Sequence, residues 1–197
     1  QAFSHHVLED IAVMRALPNM TVIAPGDKNE MEFAVRIAHA TDGPFYIRLD
    51  RGSDAVHDSS TDFKIGKAVV VRKGDDVTLI STGGLLSNTV LAADTLREDG
   101  ISARVLSMHT LKPIDVDSIL SAAKETKAIF SIEEHGPIGG LYSAIAEVLA
   151  ASREHVPLVR ICVERPFFRE VGSQKYLQKV HGLTADAICS KVIGEIA

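Results

Sequence analysis

Two adjacent histidines, His5 and His6, stand just ahead of a helical pattern and are the first side chains suited to chemistry. Ser4 is a natural N-cap, so the pattern predicts that both histidines lie in the first turn of a helix. Neighbouring side chains on a helix point about 100° apart, and no cysteine or further histidine follows at ligand spacing, so a metal site is not expected. Two interpretations remain. Either one histidine packs while the other is solvated, or a histidine at the helix N-terminus meets an anionic or hydroxylated ligand.

Two arginines and an acidic cluster come next. Arg48 and Arg51 are three residues apart on a predicted strand, so their side chains should point to opposite faces, and a surface ion pair is the simplest interpretation for each. The run Glu133-Glu134-His135 sets two carboxylates beside an imidazole and has the composition of a reactive cluster.

Glycine-rich turns and two cysteines complete the candidates. The sequences STGG (81–84) and GPIGG (136–140) lie between a strand and a helix, where backbone amides can bind an anion, but neither matches a full phosphate-loop pattern. Tight turns are therefore the favoured interpretation. Cys162 and Cys189 lie in apolar patterns and are interpreted as buried small hydrophobes. Two cysteines are too few for a disulfide scaffold, which predicts a cytoplasmic location.

Composition narrows the possible classes of function. The chain has 197 residues, of which 46% are hydrophobic and 24% charged, and its formal net charge is -5. This is enough to bury a core, and it suits one large domain or one small domain plus part of another. There is no basic stripe with interleaved aromatics and no apolar run near the roughly 20 residues of a membrane span, so neither nucleic acid nor a membrane is an expected partner.

The elements that must position these side chains alternate between strands and helices. Strands at TVIAP and FYIRLD flank the helical pattern DKNEMEFAVRIAHAT, a β-α-β unit with a parallel sheet. The polar stretch RGSDAVHDSSTDF is interpreted as a linker. The alternation then restarts with strands at KAVVVRKG, DVTLISTGG, SARVLSMHTLKP, AIFSIEEH and PLVRICV and with helices between and after them.

The order of these motifs resembles the transketolase family. The stretch SHHVLEDIAVMRALPNMTVIAPGDKNE and the strand GPFYIRLDRG are similar to the family's pyrimidine-binding domain. The stretches VTLISTGG, ARVLSMHTLKPID, FSIEEHGPIGGLYSAIAEVLA and VGSQKYLQKVHGLTADAI are similar to its C-terminal domain. The resemblance implies an α/β fold in which residues 1–55 are the C-terminal part of a pyrimidine-binding domain and residues 56–66 a linker. Residues 67–197 would be a complete three-layer α/β/α domain with a mostly parallel sheet.

The resemblance also implies which groups are supplied from elsewhere. Family enzymes use thiamine diphosphate and Mg²⁺, and their activating glutamate, their pyrimidine-stacking aromatic residue and their metal motif all precede the part that this chain resembles. We therefore expect the chain to be a C-terminal portion that is inactive and binds no cofactor alone. No cofactor-binding or metal-binding residue is identified in it. Expected partners are a diphosphate-binding domain or subunit of the same enzyme, a second copy in a homodimer, and a sugar phosphate.

By resemblance, His5 matches the family's loop histidine, which contacts substrate and serves catalysis, and Arg51 matches the arginine that binds the substrate phosphate. The role of His6, which replaces a common glutamine, stays open. Gln1 stands where ketose-specific members have an aspartate, which bears on sugar specificity. The resemblance places Glu133-Glu134-His135 away from the thiazolium, so a turn or domain-interface element is favoured over a regulatory ligand site.

The implied activity is the transfer of a two-carbon ketol unit between sugar phosphates in carbohydrate metabolism. The rival enzymes are a deoxyxylulose-phosphate synthase and the beta subunit of a 2-oxoacid dehydrogenase. A non-catalytic assembly or regulatory module is the rival from another class.

Overall fold

The computed structural model describes residues 7–50, 54–164 and 170–196. In chain order the elements are α1 (Asp10–Ala16), β1 (Thr21–Ile23), α2 (Lys28–Ala40), β2 (Phe45–Ile47), β3 (Val69–Arg72), β4 (Val77–Ser81), α3 (Leu86–Glu98), β5 (Ala103–Ser107), β6 (Thr110–Lys112), α4 (Val116–Glu125), β7 (Ile129–Ile132), α5 (Leu141–Ala150), β8 (Leu158–Ile161), α6 (Gln174–Val180) and α7 (Ala185–Ile196). A 3₁₀ turn, Gly83–Leu85, runs directly into α3.

The larger sheet has the strand order β3-β5-β4-β7-β8, and every pair in it is parallel except β3 with β5. The central strands β4 and β7 are buried along their whole length, as expected for parallel strands with helices on both faces. One core packs α3 and α7 against this sheet, and a second packs α4 and α5 against it. The predicted three-layer α/β/α arrangement with a mostly parallel sheet is confirmed.

The smaller sheet pairs two strands of the first 50 residues with one strand from the middle of the chain. Its order is β2-β1-β6, with β1 parallel to β2 and antiparallel to β6. The prediction of a single strand at SARVLSMHTLKP is therefore wrong in one respect. The stretch divides into β5 in the larger sheet and β6 in the smaller one. The backbone changes sheets at Met108 and His109, where the His109 carbonyl accepts from the Ala24 amide at 2.8 Å.

The first helix begins later than predicted. Residues 7–9 precede it, so the prediction that the helix already includes Val7 and Leu8 is wrong, while Ser4, His5 and His6 lie outside the described residues. The reason is a contact with a distant part of the chain. Leu8 is buried in the larger core, and its carbonyl accepts from the Gly136 amide at 2.7 Å instead of from the next helical turn. The helix ends at Ala16, ahead of Pro18.

The polar stretch interpreted as a linker is partly buried. His57 is 8% exposed, and its backbone amide and side chain both bond to the helix-capping residue Asp27. The interpretation of both cysteines is confirmed, since Cys162 and Cys189 are free and buried. Among the described residues, no helix combines the length and apolar composition of a membrane span.

Candidate functional site

The candidate site lies where β1 and β2 end, at residues 24–27 and 48–50, which we call the β1–β2 edge. Ligands of open α/β sheets bind at the carboxyl ends of parallel strands, and these two strands are parallel. The predicted catalytic residue His5, its neighbour His6 and the predicted phosphate ligand Arg51 lie outside the described residues, so their assignments stay predictions. The described residues show what holds the chain on either side of them.

Arg48 anchors the end of β2. Its Nε lies 3.1 Å from Oδ2 of Asp10, and the two side chains are only 12% and 7% exposed. Tyr46 donates its hydroxyl to the same oxygen at 2.7 Å, and Nη2 of Arg48 donates to the Glu134 carbonyl at 2.8 Å. The expected ion pair is therefore present, but it is buried rather than on the surface. It ties α1, the end of β2 and the strand end at Glu134 together.

Asp27 organises the turn after β1. As the N-cap of α2, its Oδ1 accepts from the amides of Asn29 and Glu30 at 3.0 Å. Its Oδ2 accepts from the amides of Val56 and His57 at 2.9 and 2.8 Å and lies 3.2 Å from the His57 Nδ1. One carboxylate thus fixes the start of a helix and the entry of the following segment.

Glu30 continues this network into the larger sheet. Its side chain is wholly buried, accepts from the Gly26 amide at 2.6 Å and from the Ser107 hydroxyl, and lies 3.5 Å from the His57 Nε2. Burial raises the pKa of Glu30, against the opposing effects of His57 and the two hydrogen bonds. Burial alone would also raise the pKa of Asp27, but its bonds to His57 and to three amides outweigh burial and hold that pKa far below its usual value.

His57 is the basic group of this network. Burial acts to lower the pKa of His57, but the hydrogen bond to Asp27 and the charge of Glu30 outweigh it, and the pKa is raised. Phe63 packs edge-on against the ring with centroids 5.2 Å apart. Nearby His109 behaves in the opposite way, because burial and the charge of His57 lower its pKa to about 4. The pair therefore consists of one histidine that favours its charge and one that stays neutral.

Asp50 binds the glycine turn of the larger domain. Its Oδ2 accepts from the Gly84 amide at 2.6 Å, while the Gly83 amide donates to the Ala24 carbonyl at 3.0 Å. The sequence STGG was interpreted as a tight turn, and it is one, but one of its amides does hold an anion. That anion is a carboxylate of the same chain.

The Glu133-Glu134-His135 cluster is structural. Glu133 is wholly buried, and its two oxygens accept from the amides of Leu141 and Tyr142 at the start of α5, at 2.6 and 2.9 Å. Glu134 accepts from Gln174 and Gln178, and its carbonyl binds Arg48. These contacts favour the turn or domain-interface interpretation, which stays a prediction.

Sequence reasoning missed the network of Asp27, Glu30 and His57. Asp27 and Glu30 do form a recognisable capping signal, an N-cap aspartate with a glutamate three residues later. Nothing local marks His57, which lies in a polar stretch of low periodicity. Within the described part of the chain, no group of three or more histidine, cysteine or acidic side chains has the arrangement of a metal site. A surface recess of about 370 Å³, lined by residues 149–150 and 154–157, lies beside the start of β8 and so at the opposite, amino end of the larger sheet.

Two family models match the chain. The model of the transketolase C-terminal domain matches residues 66–188, and that of the transketolase pyrimidine-binding domain matches residues 1–54. A 6-deoxy-6-sulfo-D-fructose transketolase subunit from Clostridium sp. (strain MSTE9) is 43% identical over 186 residues, which cover 94% of this chain and 57% of that protein. A 1-deoxy-D-xylulose-5-phosphate synthase from Heliobacterium modesticaldum is 34% identical over 197 residues, covering 98% of this chain and 30% of the enzyme.

Among solved structures, a split-gene transketolase described as an inactive beta4 tetramer is similar to this chain throughout. It superposes with a TM-score of 0.90 at 37% identity, and the match covers 98% of this chain and 62% of that one. The chain spans less than two thirds of the length of each of these three proteins.

Proposed function

The chain belongs to the transketolase family, and we propose that it is the C-terminal portion of an enzyme that transfers a two-carbon ketol unit between sugar phosphates with thiamine diphosphate and Mg²⁺. The observation that carries the proposal is the likeness to a split-gene transketolase over 98% of this chain. The relative that is 43% identical to this chain is also named a transketolase subunit. We further propose the domain limits 1–55, 56–66 and 67–197, and, from the two free cysteines, a cytoplasmic location.

The described residues do not fit the cofactor by themselves. Glu30 and Glu133 are the wholly buried glutamates, and an activating carboxylate would have to be free to bond the cofactor. Glu30 is instead held by Gly26 and Ser107, and Glu133 by the first amides of α5. Carbon–carbon chemistry would come from the cofactor held by the rest of the enzyme, and no step of it is assigned to a residue of this chain.

The roles proposed for this chain are to bind and orient the substrate. We propose that His5 donates a hydrogen bond to the substrate near its reacting oxygen, where an imidazole can also transfer a proton near neutral pH. We propose that Arg51 binds the substrate phosphate, since a planar guanidinium bonds two phosphate oxygens at once. Support comes from the position of Arg51 in the chain, directly after the described β1–β2 edge.

The proposed partners are a thiamine diphosphate-binding subunit or domain and a second copy of this chain. The relative from Clostridium is named a subunit, and the solved structure is described as a tetramer of beta chains. Both descriptions support a chain that works in an assembly. We propose that the isolated chain forms a homodimer at micromolar concentration. The interface would be two-fold, with the same surface used on both subunits.

A deoxyxylulose-phosphate synthase is the second candidate function. It is favoured by the 34% identity over 197 residues to such an enzyme. The same C-terminal portion would then serve a reaction between a 2-oxoacid and an aldose phosphate, in which the phosphate-binding role of Arg51 would be retained.

The test is reconstitution with the thiamine diphosphate-binding part of the enzyme. We expect ketol transfer from a ketose phosphate to an aldose phosphate only when both components are present. Release of CO₂ from pyruvate with no ketol transfer would favour the second candidate instead. For the isolated chain, calorimetry with thiamine diphosphate and Mg²⁺ should show no binding, and a Kd below about 10 μM, or roughly -7 kcal/mol, would contradict the assignment of the cofactor site to the partner.

Arg51→Ala tests substrate binding in the reconstituted enzyme. Loss of a charge-assisted contact worth roughly 2–4 kcal/mol should lower kcat/KM for a phosphorylated ketose about 30- to 1000-fold and leave the dephosphorylated sugar almost unaffected. Arg51→Lys should restore only part of the loss, since an ammonium cannot bond two oxygens in the same way. Arg36→Ala, which removes an exposed arginine of α2 paired with Glu32, is the control.

A further inference from the structure

Residues 54–63, which we call the strap, lie between β2 of the smaller sheet and β3 of the larger one and have no helix or strand of their own. The backbone of the strap is tied to α2 at one place. The amides of Val56 and His57 donate to Oδ2 of Asp27 at 2.9 and 2.8 Å, and the side-chain amide of Asn29 donates to the His57 carbonyl at 2.5 Å. A segment tied at so few points can open without unfolding the rest of the chain.

The far end of the strap covers a second histidine. Phe63 packs edge-on against two imidazoles, with its ring centroid 5.2 Å from that of His57 and 5.8 Å from that of His109. Phe33 of α2 lies 5.5 Å from Phe63 and 5.7 Å from His109. His109, at the point where the backbone changes sheets, is wholly buried. Opening the strap would therefore expose this imidazole to water.

The two histidines have opposite surroundings. The ring nitrogens of His57 lie 3.2 Å from Oδ2 of Asp27 and 3.5 Å from Oε1 of Glu30. Within the described ranges His109 has no such partner. Its Nδ1 bonds to the Thr110 hydroxyl at 2.8 Å, and its Nε2 is buried without a hydrogen bond. A positive charge is thus accommodated on one ring and opposed on the other.

The charged groups that face each ring decide how it titrates. Burial opposes a charge on either imidazole. For His57, burial is outweighed by the two carboxylates just named and by Asp58, so the pKa is raised. For His109, burial is reinforced by the charge of His57 and only partly opposed by Asp115, so the pKa is lowered to about 4.

From this arrangement we propose that the strap is a pH-sensitive cover, closed over a window of pH that His57 bounds on the alkaline side and His109 on the acid side. His57 stabilises the closed strap below its ordinary pKa of about 6.5, and this contribution is lost as the pH rises through the higher value of the closed state. His109 takes up a proton readily only when the strap is open, so opening is favoured as the pH falls from about 6.5 toward 4.

The neighbouring carboxylates do not oppose the acid side of the window. Glu30 is held by the Gly26 amide and the Ser107 hydroxyl, neither of which belongs to the strap. Burial already raises the pKa of Glu30, and loss of the nearby His57 charge raises it further, so this group too binds a proton more readily when the strap is open. Asp27 acts in the same direction at lower pH, since its bonds to His57 and to the strap amides hold its pKa low.

Opening would also reach the candidate site. Without the strap, Oδ2 of Asp27 loses the amides of Val56 and His57, and the carboxylate caps only α2. The order of the turn after β1 would then vary with pH. The window is a property of this chain and does not depend on the proposed function.

The experiment is amide hydrogen exchange of the 197-residue chain between pH 5 and pH 9, corrected for the intrinsic exchange rates. A peptide that covers the strap is compared with one from α3. We expect the wild-type strap to exchange at least about 5-fold faster at pH 5 than at pH 7, and faster again at pH 9, while α3 does not follow.

Two variants assign the two sides of the window. With pKa values of about 4 closed and about 6.5 open, the exchange rate of the wild-type strap relative to that of His109→Gln should grow about 20-fold from pH 7 to pH 5. Effects of the carboxylates cancel in this ratio. The protection that wild type has over His57→Gln should shrink between pH 7 and pH 9.

His135→Gln is the matched control. His135 is also wholly buried and also has an Nε2 without a hydrogen bond in the described part of the chain, but it lies after β7 and its Nδ1 bonds to Gly136. Its loss should leave the pH profile of the strap unchanged. An acid side that persists in His109→Gln, an alkaline side that persists in His57→Gln, or a strap that exchanges only together with α3 would overturn the proposal. Should a variant not fold, the wild-type profile decides alone, and equal protection from pH 5 to pH 9 would refute the window.

Discussion

Replacing His57 by glutamine should destabilise the protein more than any other single histidine substitution among the described residues. His57 lies 3.2 Å from Asp27 and 3.5 Å from Glu30, and the three side chains are 3% exposed or less. At these distances each attraction is about 5 kcal/mol before desolvation, with an effective dielectric constant of about 20. Desolvation of the three groups offsets much of this in the native protein, but removing the imidazole leaves the buried Asp27 and Glu30 side chains without their basic partner, and breaking a buried pair typically costs about 3–5 kcal/mol.

Glutamine keeps the size of the side chain and one donor, so we expect a loss of about 2–4 kcal/mol for His57→Gln, a large part of a typical folding free energy of about 5–15 kcal/mol. For a chain of this length this corresponds to a drop in Tm of roughly 5–15 °C. His39→Gln is the matched control, because His39 is exposed in the last turn of α2. It should change stability by less than about 0.5 kcal/mol.

The sign of the pH dependence follows from the direction of the shift. The pKa of His57 is raised in the folded state, so its contribution is fully present below its ordinary pKa of about 6.5 and is lost as the pH rises through the higher folded value. The difference in unfolding free energy between wild type and His57→Gln should therefore be larger at pH 6 than at pH 9. The pKa of Asp27 is lowered, so its contribution is present above about 3.9 and is lost in stronger acid.

Urea unfolding followed by circular dichroism at several pH values gives these quantities directly. An unchanged midpoint for His57→Gln, or a difference that grows between pH 6 and pH 9, would show that His57 is not the basic group of the network. A double-mutant cycle with Asp27→Asn should give a coupling energy of about 1–3 kcal/mol, and additive losses would contradict the contact between the two side chains.

Three further predictions concern other buried groups. Burial, together with the hydrogen bond to Asp10, raises the pKa of Tyr46 to about 12; Asp10→Asn should lower it while leaving it above the ordinary value, as followed by tyrosinate absorbance with Tyr46→Phe as the blank. Burial raises the pKa of the Cys162 thiol to about 12 and raises that of Cys189 as well, so a thiol reagent at pH 8 should label both cysteines in urea and neither in the native protein. Glu133→Gln turns one side-chain oxygen into an NH₂ facing the first amides of α5 and should cost about 1–3 kcal/mol in urea unfolding, with exposed Glu32→Gln as the control.

The fold could be predicted from the sequence wherever a pattern was local. The alternating strands and helices follow from patterns within short stretches, and the structure confirms them. The division of SARVLSMHTLKP into β5 and β6 could not be predicted, because the apolar run is continuous. Only pairing with β1 places its second half in the smaller sheet. The predicted start of α1 was wrong for the same reason, because the Leu8 carbonyl accepts from the Gly136 amide across the domain boundary.

The candidate site was predicted only in part. The resemblance pointed to His5 and Arg51, which lie outside the described residues and remain predictions. Three side chains organise their surroundings: Asp10 lay in the predicted first helix, Asp50 in the predicted strand FYIRLD and His57 in the predicted linker. Each makes its decisive contact with a residue at least 30 positions away, and no local pattern encodes such a contact.

The carboxyl edge of the larger sheet explains why these contacts matter. In open α/β sheets this edge is the usual place for a ligand. Here side chains from the first 50 residues occupy it. Glu30 accepts from Ser107 at the end of β5, Asp50 from Gly84 after β4, and Arg48 donates to Glu134 after β7. A regulatory ligand at Glu133-Glu134 would have to displace contacts that those two carboxylates already make. The carboxyl edge of the larger sheet therefore holds the β1–β2 edge in place. A substitution at Gly84 or Ser107 should displace the end of β2 more than it disturbs the packing of the core.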